Sequence, residues 1–207
     1  SIVKDLFTNK IDIYHGLSHE LPLGIEKNSI KSVVTIHDLI FIRYPHLFST
    51  IDRKIYLKKF KSACERADKI IAISQQTKQD IIDFLDIPES KITVVYQGCN
   101  NIFQKPIAES KKEETLKKHN IPTEYLLNVG SIEERKNLLT LLQALKELPN
   151  QKLVVIGNGK SYKIKCLRYI KEHNLSGRVM FLSNLTLEEM AVIYQSAQLM
   201  IYPSIFE

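Results

Sequence analysis

Short β-branched runs alternating with amphipathic segments predict an α/β protein built from two parallel-sheet domains. Three observations carry that reading. Buried-type runs such as Val33-Val34-Thr35-Ile36 and Leu153-Val154-Val155-Ile156 recur along the 207 residues. Segments of helical period separate them. The alternation breaks once, in a stretch of asparagines, Pro106 and mixed charge at 98–112, and then restarts. The expected domains are 1–103 and 104–207.

In chain order, a short helical stretch at 3–7 leads into a strand at 11–15 that turns at Gly16. A second strand at 32–36 ends at His37-Asp38. Ile51, Ile55, Leu57, Phe60, Cys64 and Ala67 recur at helical spacing and predict an amphipathic helix over 51–67. A strand at 69–73 follows, and Ser74, a good N-cap, opens a helix at 75–84. The run at 92–96 closes the first domain with Gln97-Gly98. Past the 98–112 linker, strands are expected at 125–129, 153–156, 178–182 and 199–202, and helices at 137–148, 161–173 and 187–196. Neither run is complete, and the chain opens on Ser1. It is expected to be an internal piece of a longer reading frame that lacks both ends and is inactive alone.

Composition narrows the function classes. Twenty-nine basic residues, 23 of them lysine, against 23 acidic ones leave a net charge of +6. The excess is spread along the chain, +2 over residues 1–100 and +4 over 101–207, whereas nucleic-acid binders concentrate it in a patch. Nucleic acid is therefore not an expected partner. A mild attraction for nucleotide phosphates or an anionic membrane surface remains. The apolar runs are too short to cross a bilayer. Cys64, Cys99 and Cys166 lie 35 and 67 residues apart, which fits a reducing compartment and neither zinc nor a disulfide frame.

Ligands of parallel sheets bind outside the carboxyl ends of the strands, which directs attention to His15, His37, Ser74, Gly130, Gly157, Ser183 and Ser204. Gly157-Asn158-Gly159-Lys160-Ser161 lacks the first glycine of a Walker A loop, since Val154 stands there; a tight exit turn is the better reading. No D-x-D occurs, and residues 101–207 contain no Asp, so paired carboxylates for Mg²⁺ or Mn²⁺ are missing. Gly130-Ser131-Ile132-Glu133-Glu134-Arg135-Lys136-Asn137 is the informative stretch. It leaves a buried strand through glycine and sets two cations at a predicted helix start, where the dipole disfavours them. An anion held by Arg135, Lys136 and free backbone N–H groups accounts for the pair. An incidental surface pair beside Glu133 and Glu134 is the other reading.

Taken together, these segments resemble the family-4 (group 1) retaining glycosyltransferases of the GT-B fold, close to the bacterial mannosyltransferase-like enzymes of lipopolysaccharide and capsule synthesis. The matching stretches run in family order: Asp12-Ile13-Tyr14-His15, SVVTIHDL from Ser32, ADKIIAISQQ from Ala67, KITVVYQG from Lys91, LLNVGSIEERKNL from Leu126, LVVIG from Leu153, Val179 to Leu182, and YPSIFE from Tyr202. The resemblance implies two Rossmann-like domains facing a cleft, an acceptor-side domain first and a donor-binding domain second. It implies that Arg135 and Lys136 grip the donor diphosphate and that Gly130 and Ser131 lie under it. Ser183, Asn184 and Leu185 would flank the nucleobase. His37, with His15 nearby on the acceptor side, would sit near the reacting sugar. Glu207 would contact sugar hydroxyls as the first glutamate of E-x7-E. Gln97 and Asn100 depart from the usual Asn and Asp around Gly98 and are expected to affect hinge geometry more than chemistry.

The implied reaction moves a hexose, mannose-like, from a nucleoside-diphosphate sugar to a glycan or lipid-linked acceptor with retention. No cofactor and no metal is expected. Without a suitably placed carboxylate nucleophile, front-face attack is the economical route, with Arg135 and Lys136 stabilising the leaving diphosphate. The implied location is cytoplasmic, including peripheral contact with the anionic inner face of the cell membrane. A non-catalytic nucleotide-sugar-binding protein and a GT-B-type sugar-nucleotide epimerase are the rival readings.

Overall fold

The computed structural model describes residues 2–27 and 29–206. By its contacts the chain divides into two units, residues 1–98 and 99–207, each holding a four-stranded parallel sheet. The division falls ahead of the expected boundary after residue 103. The reason is local: the turn Asn101–Phe103 belongs to the second unit, with the Phe103 ring edge-on to Tyr194 at 5.5 Å.

The first unit runs α1 (Ile2–Thr8), β1 (Ile13–Gly16), β2 (Lys31–Ile36), α2 (Ile40–Arg43), α3 (Thr50–Arg66), β3 (Lys69–Ala72), α4 (Gln75–Leu85) and β4 (Ile92–Val94). Its strands lie in the order β1-β2-β3-β4, so each crossover steps to the next position. Val34, Ile36, Ile70 and Ala72 from the central strands bury against Phe60, Ala63 and Cys64 of α3 and Ile81 and Leu85 of α4. Burying a large aliphatic side chain contributes about 1.5–3 kcal/mol, and this cluster is the unit's main source of stability. Ser74 caps α4 as expected, its Oγ accepting from Thr77 N–H at 3.0 Å, and Asp86 ends the helix in the left-handed conformation. Asp80, fully buried on α4, is paired with Arg43 at the end of α2 and accepts from Gln76. A buried carboxylate needs such partners.

Expectation and structure differ on α3. Only Phe60, Ala63 and Cys64 of this helix are buried, while Ile51 and Ile55 are 72% and 46% exposed. Its apolar positions fall on two faces, and only one meets the sheet.

The second unit runs α5 (Glu109–Lys118), β5 (Leu126–Val129), α6 (Leu138–Lys146), β6 (Leu153–Ile156), α7 (Ser161–Glu172), β7 (Val179–Leu182), α8 (Leu187–Ser196) and β8 (Leu199–Met200). All four side chains of β6 are buried, and strand alternation divides them. Leu153 and Val155 join the core with α6 and α7, and Val154 and Ile156 join the core with α8. The sheet is thus covered on both faces. The linker reading of 98–112 is corrected by α5. Its nearly all-polar sequence buries only Thr115 and offers no apolar stripe to read. Lys111–Glu114 and Lys112–Glu109 pairs brace it, and Lys118 and His119 at its end both reach Glu189 of α8, at 2.7 and 2.8 Å.

The strand order here is β7-β6-β5-β8. From β5 the chain steps through β6 to β7 on one side, then returns to add β8 on the other flank of β5. That reversal is a topological switch point, and the crevice beyond the carboxyl ends of β5 and β8 is where an open α/β sheet binds its ligand.

Candidate active site

Two segments meet beyond β5 and β8. The chain leaves β5 through Gly130, whose φ of +150° favours glycine. Next to it, a Cβ on Gly157 would fall 1.9 Å from the Gly130 carbonyl oxygen. The loops after β5 and β6 therefore run against each other, tied by Gly130 N–H to Ile156 O at 2.9 Å and Ile132 N–H to Asn158 O at 2.8 Å. Gly157 is accounted for by this backbone approach, as the exit-turn reading expects.

Arg135 and Lys136 stand in a single 3₁₀ turn, Glu134–Lys136. Arg135 Nη1 donates to Phe206 O at 2.6 Å, and its Nη2 lies 3.5 Å from a Glu133 carboxylate oxygen. The Arg135 carbonyl accepts from Ile205 N–H at 2.9 Å and from Ser204 Oγ at 3.3 Å. Asn137 Nδ2 donates to Pro203 O at 3.3 Å. Lys136 Nζ donates to the Tyr202 hydroxyl and lies 4.8 Å from the centre of that ring. Ser131 Oγ donates to Glu133. The cation loop is thus bound along its length to residues 202–206.

One expectation changes. Arg135 and Lys136 precede α6 rather than open it, because Asn137 takes a left-handed conformation between the turn and the helix. The first N–H groups of α6 are also engaged: Leu139 donates to the Tyr162 hydroxyl at 3.0 Å and Thr140 to Asn137 O at 3.1 Å. Those helix amides are therefore not the free N–H groups that the sequence reading added to the two cations. Ser183, Asn184 and Leu185 follow β7, and Asn184 is left-handed at φ 57°. Ser183 and Asn184 are exposed and Leu185 half-buried. Gly157 N–H donates to Leu182 O at 3.2 Å, joining the β6 and β7 loop starts. Glu207 lies outside the described residues.

In the first unit, His37 follows the carboxyl end of β2, with Nε2 3.0 Å from Leu17 O. His15, near the end of β1, reaches Thr35 Oγ1 through Nε2 at 2.8 Å. The ring that His37 meets is a third imidazole, His19, edge-on at 5.2 Å. Sequence reading missed His19. It stacks on Phe60 at 4.3 Å, and burial pushes its pKa down, with Asp38 pulling the other way and the adjacent His37 adding to the fall. A strand-end histidine is a visible signal; one in a left-handed loop residue (φ 62°) is not. The Gln97 side-chain amide lies 3.3 Å from His37 Nδ1, a contact that the sequence reading did not anticipate. Ser74 serves as the α4 cap. Among the described residues, no group of three or more His, Cys, Asp and Glu side chains is arranged to hold a metal ion.

Two parallel-sheet α/β units, the second with cations gathered at its switch point, define a two-domain GT-B architecture. The chain belongs to the family-4, group 1 glycosyltransferases: residues 1–101 match Glycosyltransferase Family 4 and residues 111–207 match Glycosyl transferases group 1. It is 27% identical over 209 aligned residues to the serotype-specific mannosyltransferase WbdA of Escherichia coli, covering 95% of this chain and 26% of WbdA. It is 25% identical to O-antigen chain mannosyltransferase B of Escherichia coli, covering 94% of this chain and 51% of that protein. The chain thus spans about a quarter to a half of the length of these relatives. Among solved structures, Anabaena Alr3699/HepE in complex with UDP superposes with a TM-score of 0.75 at 17% identity, covering 99% of this chain and 56% of that one; this is a likeness of fold.

Proposed function

We propose that the protein is a retaining hexosyltransferase that takes a mannose-like sugar from a nucleoside-diphosphate donor and passes it to a glycan or lipid-linked acceptor. The observation that carries this reading is the placement of Arg135 and Lys136 beside residues 202–206 at the β5/β8 switch point. Two cations on a loop braced by backbone hydrogen bonds suit a diphosphate whose negative charge grows as the glycosidic bond breaks. Arg135 offers a planar fork and Lys136 a point charge. Gly130 and Ser131 underlie the diphosphate, Ser183, Asn184 and Leu185 flank the base, and Glu207 takes sugar hydroxyls. His37, with His15, serves the first unit's sugar side as a polar positioner. The acceptor hydroxyl attacks the face that the diphosphate leaves, and the leaving group takes the proton. No metal enters this scheme. The mannosyltransferase names of the relatives support the sugar class.

The reading places the protein in the cytoplasm, touching the anionic inner face of the membrane. Among the described residues no helix is long and apolar enough to cross a membrane. Instead α3 turns Ile51 and Ile55 outward beside Lys54, Lys58 and Lys61, and six basic residues oppose two acidic ones along it. That pairing of apolar tips and lysines suits an anionic lipid surface.

The test is turnover of a panel of nucleoside-diphosphate hexoses with and without a lipid-linked glycan acceptor. Acceptor-dependent transfer with the donor's anomeric configuration kept is the expected result. Binding without turnover would mean a nucleotide-sugar-binding protein, and conversion without acceptor would mean an epimerase.

A further inference from the structure

We propose that Gln97 is a positioning residue that selects the Nε2–H tautomer of the His37 ring and sets its plane; its bearing on transfer rests on the proposed sugar-side role of His37. Leu17 O lies 3.0 Å from His37 Nε2, and a carbonyl only accepts, so Nε2 carries the proton. The side-chain nitrogen of Gln97 lies 3.3 Å from Nδ1. An amide NH₂ only donates, so Nδ1 presents its lone pair. Together the two contacts select one tautomer and set the plane of the ring.

The surroundings hold the ring in place. His19 meets it edge-on at 5.2 Å and is itself held toward the neutral form by burial. Asp38, next in the chain, directs Oδ1 to Ile40 N–H at 3.1 Å. Thr77 Oγ1 donates to the His37 carbonyl at 3.0 Å, which anchors the backbone beneath the ring. Gln97 comes from the loop after β4, at the end of the first unit, so ring orientation depends on a residue 60 positions away. With Nε2 donating to Leu17 O and Nδ1 accepting from Gln97, neither ring nitrogen is left to take a proton from a sugar hydroxyl, and His37 bears on transfer through the fixed position of its ring.

The ¹⁵N signals of the His37 ring read the tautomer directly. The protein should show the Nε2–H form at a pH above the imidazole's titration. Gln97→Met, similar in length but without the amide, should show mixed tautomers at unchanged Tm. Its kcat for sugar transfer should fall about three- to tenfold, the effect of one ordinary hydrogen bond, with donor KM nearly constant. Gln97→Glu, which turns an acceptor toward Nδ1, should draw the proton to that nitrogen. An unaltered tautomer in Gln97→Met, or a wild-type ring protonated on both nitrogens, would overturn the positioning role. A changed tautomer with unchanged kcat would overturn its bearing on transfer. Wild-type kcat in His37→Ala would instead overturn the sugar-side reading of His37, an outcome that the tautomer signals keep distinct.

Discussion

Arg135 holds the Phe206 carbonyl and faces Glu133, while Lys136 leans on the Tyr202 ring and hydroxyl. Both cations are therefore oriented by the protein's own contacts, and under the proposed function this is the preorganisation that electrostatic catalysis requires. Arg135→Ala and Lys136→Ala should each lower kcat/KM for sugar transfer, by on the order of 10²-fold for a group acting on a leaving phosphate. The loss should appear in kcat as well as KM. Arg135→Lys should recover only part of it, since an ammonium cannot reproduce the fork. Steady-state kinetics with a thermal melt on each variant is the check; well-folded variants with wild-type kcat would place the diphosphate elsewhere. At this scale the sequence is legible where a residue has a positional cue. Gly130 after a buried run, the Arg135-Lys136 pair and His37 at a strand end all have one. His19 has none, and the departure at Gln97 does not reveal its partner, because the contacts of both with His37 exist only after the chain folds.

Among the elements, β-branched runs mark the strands well: the sheet core at Leu153–Ile156 is as expected, and α8 runs over the expected residues. The last strand is shorter, pairing only at Leu199 and Met200 before the chain turns toward the cation loop. α5 stayed hidden because its stability comes from charge pairs and tertiary contact instead of an apolar face. Its anchor is Glu189, whose carboxyl is held down to about 2 by Lys118, the Thr186 N–H and His119. A carboxylate with a lowered folded pKa stabilises fully above its ordinary 4.5, and this contribution is lost as pH falls through about 2. Glu189→Gln keeps the capping geometry at Thr186 but removes the charge. Its Tm should lie below wild type at pH 7, with the gap closing as pH drops below 4.5; a gap independent of pH would assign the anchor to the cap alone. The outward face of α3 makes a separate prediction. Vesicles rich in anionic phospholipid should bind the protein, and Ile51→Glu with Lys54→Glu should abolish the binding without altering Tm. Equal binding to zwitterionic vesicles, or none to anionic ones, would contradict it.

For the whole molecule, alternation of strand and helix with a single interruption was enough to read two parallel-sheet units. Their sheet orders were not legible. The return of β8 to the flank of β5 depends on which edge the last crossover reaches, and no local pattern encodes that choice. Yet this return creates the switch point where Arg135 and Lys136 meet residues 202–206. The central claim is that these two side chains bind the donor diphosphate without metal, and calorimetric titration of the protein with nucleoside diphosphates in EDTA tests it most directly. The account predicts binding that EDTA leaves intact and that Arg135→Ala with Lys136→Ala weakens by about 10²- to 10⁴-fold, two charge-assisted contacts at roughly 1.5–3 kcal/mol each. Binding that collapses in EDTA and returns with Mn²⁺, or equal affinity in the folded double variant, would contradict it.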